Sequence, residues 1–176
     1  MPKQMITVGQ ETVESGLVSV EQQLRIERFL AWEAAMLDEH QYDRWFAAWC
    51  EGEIQYWVPC NDDDQDPQTA IAIIYDDRFR LEERLMRLKD RLAHAFHPRA
   101  RMTRNVSNIF VTTVDDQGWQ VSSNFVLGEI RSGQQRTWFG KCEYRLEEHA
   151  GSLHIRDKKV FLLNNDEPMP NLTFLV

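Results

Sequence analysis

Residues 71–110, IAIIYDDRFRLEERLMRLKDRLAHAFHPRARMTRNVSNIF, decide the fold. They run from a short apolar stretch through an acidic turn into an amphipathic basic helix, a Pro-marked loop and a strand. Leu81, Leu85, Leu88 and Leu92 recur at helical spacing and give the helix one inner stripe. Asp76 and Asp77 stand where carboxylates cap and stabilise a helix N-terminus. Arg84, Arg87 and Arg91 lie off the stripe, and Glu83 is placed to pair with Arg87 one turn later. Pro98 stops any continuation. Nine of the chain's 20 Lys and Arg fall between Arg78 and Arg104, against Glu82, Glu83 and Asp90 alone. A leucine stripe with interleaved acids reads as a packing unit with an ion-paired outer face, not as a phosphate or RNA site. Arginine's rigid fork suits ordered ion pairs and protein interfaces better than a flexible ammonium.

Upstream, residues 1–18 carry Gly9, Gly16 and polar residues without periodicity, so they read as a flexible or partner-bound arm preceding a single domain over residues 19–176. Ser19 and Gln22 form a capping-box pattern that opens a helix. Ile26, Phe29, Leu30, Ala34 and Leu37 make one face of it apolar. A second short helix is expected from about Asp43, with Tyr42, Trp45, Phe46 and Trp49 as core groups and Gly52 as its stop. Residues 53–59 (EIQYWVP) alternate as a strand, residues 61–67 (NDDDQDP) form an acidic loop, and residues 68–75 form a second strand.

After Arg101 the periodicity changes from helical to alternating. Strands are expected at Met102–Val114, Trp119–Ile130, Gln135–Glu147 and Leu153–Leu163, separated by turns at residues 115–118, Gly133 and Gly151. A bulge is expected near Asp157-Lys158. Helices followed by hairpin-linked strands imply an α+β domain, with the helices packed on one face of a curved antiparallel sheet.

At 176 residues the chain suits one substantial core. Its formal charge of −8 argues against non-specific binding to nucleic acid or an anionic membrane. Cys50, Cys60 and Cys142 are scattered, with no CxxC, which predicts reduced thiols and neither a disulfide framework nor a zinc site. No secretory segment and no run of 18 apolar residues is present, so a cytoplasmic protein is expected.

Candidate chemistry is sparse. A calcium loop starting at Asp62 needs Gly at its sixth position and Glu at its twelfth, where Pro67 and Ile73 stand. His94 and His97, with Asp90 one turn earlier, have spacing a mononuclear metal site could use, but a charged helix end is ordinarily surface. A Rieske cluster requires paired Cys and His that the chain lacks. No GxGxxG, P-loop or GxSxG pattern occurs. A cone of this architecture could host an Asp–His general base. Tyr42, Asp43 and His94 or His97 are the candidates for that alternative, a stand-alone dehydratase or isomerase.

An ordered set of motifs resembles the small (beta) subunit of aromatic-ring-hydroxylating, Rieske non-heme iron dioxygenases. Tyr56-Trp57-Val58-Pro59 is similar to that family's first-strand signature. Ile74-Tyr75-Asp76-Asp77 with Leu81, Glu82, Arg84, Arg87 and Leu88 is similar to its helix. Pro98, Arg99, Arg101, Arg104, Val106, Ser107 and Asn108 resemble its next strand. Gly140, Arg145, Leu146, Lys159-Val160, Leu162, Asn164-Asn165 and Pro170-Asn171-Leu172-Thr173-Phe174-Leu175 continue the likeness. The resemblance implies a nuclear-transport-factor-like, cystatin-like cone without iron or cluster of its own. It also implies a catalytic alpha subunit, three alpha with three beta, carrying the Rieske [2Fe-2S] centre and mononuclear Fe(II). Electrons would reach alpha from NADH through a reductase, with or without a ferredoxin. Subunit contacts are then expected from Arg78, Arg84, Arg87, Arg99, Arg101, Arg104, Ser107, Asn108 and Asn171, with no catalytic residue in this chain.

Overall fold

The computed structural model describes residues 18–61, 69, 71–90 and 98–176. The expected arm (residues 1–17), most of the acidic loop, and Arg91, Leu92, His94 and His97 lie outside the described residues.

Helix α1, Val20–Asp38, opens as the capping pattern requires: the Ser19 hydroxyl accepts from the Gln22 amide, and the Gln22 side chain accepts from the Ser19 amide. Helix α2 is only Tyr42–Phe46. It stops short of Gly52 because the next residues pair instead with a strand, Cys50 N–H donating to Ile155 C=O at 2.9 Å and Ile155 N–H to Ala48 C=O at 2.8 Å. Strands β1, Gln55–Pro59, and β2, Ala72–Asp76, precede helix α3, Arg78–Lys89. Asp77 caps α3 by accepting from the Arg80 amide, and Leu81, Leu85 and Leu88 are buried. Four long strands complete the chain: β3 Arg101–Asp115, β4 Gly118–Arg131, β5 Gln134–His149 and β6 Ser152–Leu162.

The six strands form one sheet ordered β2-β1-β6-β5-β4-β3. It departs from the antiparallel expectation at one place, where β1 runs parallel to β6. The hairpins force neighbouring partners for β3 to β6, whereas β1 reaches β6 only by spatial closure, which no local pattern encodes. One apolar cluster joins α1, α2, α3 and the inner sheet face to Phe174, Leu175 and Val176 of the C-terminal segment. Gly140 sits where this packing is tightest: a Cβ there would lie 2.5 Å from both the Phe125 ring and the Phe161 carbonyl.

Two irregularities set which side chains face inward. The β5–β6 register slips where Arg145 pairs with Asp157 but Leu146 with Ile155, leaving Arg156 as the extra residue. The bulge, expected near Asp157-Lys158, thus falls at Arg156. It switches the buried phase of β6 from Leu153 and Ile155 to Lys158, Val160 and Leu162. On β3 the register slips between Ser107 and Phe110, where Asn108 takes φ 51°, a left-handed conformation Asn tolerates.

Candidate functional site

The centre of the cone holds charge. Glu33 lies on α1 in register with Ile26, Leu30 and Leu37, so the helix turns its carboxylate into the core; Lys158 enters from β6 through the bulge. Their side chains are 3% and 2% exposed. Lys158 Nζ donates to Glu33 Oε1 at 2.8 Å, Trp45 Nε1 to the same oxygen at 3.0 Å, and Tyr144 Oη to Oε2 at 2.9 Å. The ammonium also lies 5.5–6.0 Å from the Tyr144, Trp45 and Tyr56 rings. Burial pushes the Glu33 carboxyl up, but Lys158 and the hydrogen bonds outweigh it and hold the group below the usual carboxylate range. Burial likewise raises Tyr144 well above an ordinary phenol and pushes Cys142 up to about 11. An ionised carboxylate with both oxygens occupied is a poor general base, so this cluster ties α1 and α2 to the sheet.

Of the Asp–His alternative, His94 and His97 lie outside the described residues, and only Tyr42 and Asp43 are placed. Asp43, considered for the cone's base, lies at the surface with its side chain 82% exposed, 2.6 Å from Lys89 Nζ. The reason is local: α2 buries Tyr42 and Trp45, three residues apart, which turns Asp43 outward. Tyr42 hydrogen-bonds His40 Nδ1 at 2.7 Å, His40 Nε2 reaches the Ala100 carbonyl at 2.9 Å, and burial pushes the phenol up to about 12. The sequence reading missed Glu33 and Lys158. Their signal was a charge in phase with a buried stripe, Glu33 among leucines and Lys158 with Val160 and Leu162.

The arginines separate into distinct roles. Arg104 is internal: Nε donates to Asp38 Oδ1 at 2.7 Å, Nη2 to the Leu175 carbonyl at 3.1 Å, and its side chain is 5% exposed. Arg84 grips Asp76 with two bonds, 2.5 and 3.0 Å. The expected Glu83–Arg87 pair does not form; the helix's basic face is tied instead to the strand before it. Arg78 donates to the Cys50 carbonyl at 2.6 Å and stacks 4.7 Å over Phe46. Arg87, Arg99, Arg101, Ser107, Asn108 and Asn171 are exposed.

Several of these residues meet in grooves. Arg84, Arg87 and Asn171 share one of about 740 Å³ with Arg131 and Arg136. Arg104, Ser107 and Asn108 border another of about 920 Å³ between α1 and β3. On the sheet face away from the helices, Val126 and Phe139 are cross-strand neighbours, 43% and 48% exposed, with Ile130 and Leu163 also exposed. No helix among the described residues is long and apolar enough to cross a membrane.

The profile of a family described as ring hydroxylating beta subunit matches residues 32–166. The chain is 37% identical over 142 residues to the small oxygenase component of the p-cumate 2,3-dioxygenase system of Pseudomonas putida, covering 78% of this chain and 77% of that one. The crystal structure of the beta subunit of benzoate 1,2-dioxygenase from Burkholderia mallei is similar with a TM-score of 0.72 at 24% identity, covering 90% of this chain and 98% of that one. A nuclear-transport-factor-2-like protein with a cystatin-like fold from Novosphingobium aromaticivorans has a TM-score of 0.58 at 12% identity, covering 88% and 90%, a likeness of fold alone.

Proposed function

The chain belongs to the ring hydroxylating beta subunit family, and from that premise we propose that it is the non-catalytic structural subunit of a multicomponent aromatic-ring-hydroxylating dioxygenase. Its partner is an alpha subunit, in a complex of three alpha and three beta. The Rieske [2Fe-2S] centre and mononuclear Fe(II) belong to alpha, which performs NADH- and O₂-dependent cis-dihydroxylation of an aromatic substrate. Ferredoxin or reductase delivers electrons to alpha, and the assembly works in the cytoplasm.

The observation that carries the structural role is the filled cone. Where an enzyme of this shape would need an open polar pocket, Glu33 and Lys158 neutralise each other among aromatic rings. Binding capacity lies outside instead. Exposed Val126 and Phe139 offer the apolar centre that a permanent interface requires, and the groove with Arg87 and Asn171 offers arginine at its border.

Co-expression with the alpha subunit from the same source tests this. The isolated chain should be iron-free and inactive, and should co-purify with alpha. Val126→Asp with Phe139→Asp should abolish co-purification while leaving the monomer's unfolding transition in place. Aromatic turnover or bound iron in the isolated chain, or undiminished assembly of the double variant, would overturn the proposal.

A further inference from the structure

We infer that Cys50, Glu147 and His149 form a zinc-binding site at the end of the β5–β6 hairpin, stapling the segment after α2 to the sheet. The backbone bonds between residues 48–50 and Ile155 fix Cys50 beside β5. Glu147 and His149 are two apart on that strand and so share a face. Cys50 Sγ lies 3.6 Å from Glu147 Oε2 and 3.9 Å from His149 Nε2, and Oε2 lies 2.9 Å from Nε2. All three ligand atoms are within 4.8 Å of one another.

Zinc–ligand lengths of about 2.0–2.3 Å in a tetrahedron put ligand atoms roughly 3.3–3.8 Å apart. The 3.6 Å sulfur–oxygen distance already matches, the 3.9 Å sulfur–nitrogen distance has to close slightly, and the oxygen–nitrogen pair has to open by about half an ångström. Sulfur, imidazole and carboxylate together are a zinc donor set. The carboxylate is held in place: Arg156 donates to Oε1 at 2.7 Å and Oε2 at 2.8 Å, and is itself anchored on the Glu51 and Glu53 carbonyls. Zinc with one thiolate and one carboxylate is formally neutral, so the two anionic ligands balance the cation themselves. On binding, Cys50 releases its thiol proton and neutral His149 offers the Nε2 lone pair. His149 is half exposed, leaving the fourth position to water.

The inference is independent of the oxygenase reading, since zinc is neither iron nor redox-active. The test titrates the full-length, chelator-treated chain with Co²⁺, then Zn²⁺. One cobalt per chain should bind with a thiolate-to-cobalt charge-transfer band that zinc displaces. Cys50→Ser should lose the band, Cys60→Ser should keep it, and His149→Ala, an exposed change, should weaken zinc binding at least about tenfold. No band in the parent protein, a band surviving Cys50→Ser, or His149→Ala binding zinc as tightly as the parent would overturn it.

Discussion

Replacing Lys158 with Met is the sharpest probe of the cone. Glu33 is 2% exposed and accepts three hydrogen bonds, one of them from the Lys158 ammonium. Removing that ammonium leaves a buried carboxylate with two neutral donors. Breaking a buried ion pair this way costs about 3–5 kcal/mol, a large share of the roughly 5–15 kcal/mol that holds a typical domain. With a urea slope of about 2 kcal/mol per molar, the midpoint should fall by roughly 2 M at neutral pH.

Glu33→Gln combined with Lys158→Met should recover most of that loss, because it leaves no uncompensated charge and keeps a side chain for Trp45 and Tyr144 to bond. The pH dependence gives a second readout. In the parent chain the folded-state pKa of Glu33 is depressed, so its contribution is present above the unfolded carboxylate value and is lost as pH falls through the folded one. In Lys158→Met the burial that opposes ionisation is no longer outweighed, and the folded pKa rises above the unfolded value. Stability is then full below the unfolded pKa and is lost as pH climbs through the raised one. Urea curves at fixed protein concentration between acid and neutral pH would show the reversal. A loss under about 1 kcal/mol, or the same pH trend in parent and variant, would refute the account of the cone as a neutralised structural centre.

The arginines should separate by assay. Arg104→Ala should destabilise the isolated chain by about 3 kcal/mol, because Asp38 keeps a largely buried charge without its partner. Arg87→Ala, on the exposed face of α3, should change monomer stability by no more than about 0.5 kcal/mol while weakening assembly with alpha; the reverse ranking would mean their roles are interchanged. Glu147 is held down at about 2, chiefly by the Arg156 hydrogen bonds. Its contribution is therefore present above the ordinary carboxylate value and is lost only as pH falls towards about 2. Carboxyl-resolved NMR titration should show that value in the parent chain and a return towards the normal range in Arg156→Gln.

Much of the architecture was readable residue by residue. Ser19 with Gln22 announced α1, Asp77 and the leucines announced α3, and the alternation of Trp138, Cys142, Tyr144 and Leu146 announced the buried face of β5. These signals are legible because caps and periodicities depend on neighbours within one turn or one pleat. The extent of α2 was not legible, since Trp49 joins a strand distant in sequence. The docking candidates were only partly sorted: charge density marked Arg84 and Arg104 alongside Arg87, and only tertiary contact revealed that Asp76 and Asp38 engage the first two.

By itself, then, the sequence determined the α+β class, the helix starts and the order of the hairpins, because local sterics and hydrogen-bonding dictate them. The tertiary structure decided the parallel β1–β6 pairing and the inward turn of Lys158. It also brought Cys50 up to Glu147 and His149, which lie about a hundred residues further along the chain. The bulge at Arg156 shows the physical reason. One extra residue inverts every side chain beyond it, and whether a strand carries that residue depends on the register its partner imposes.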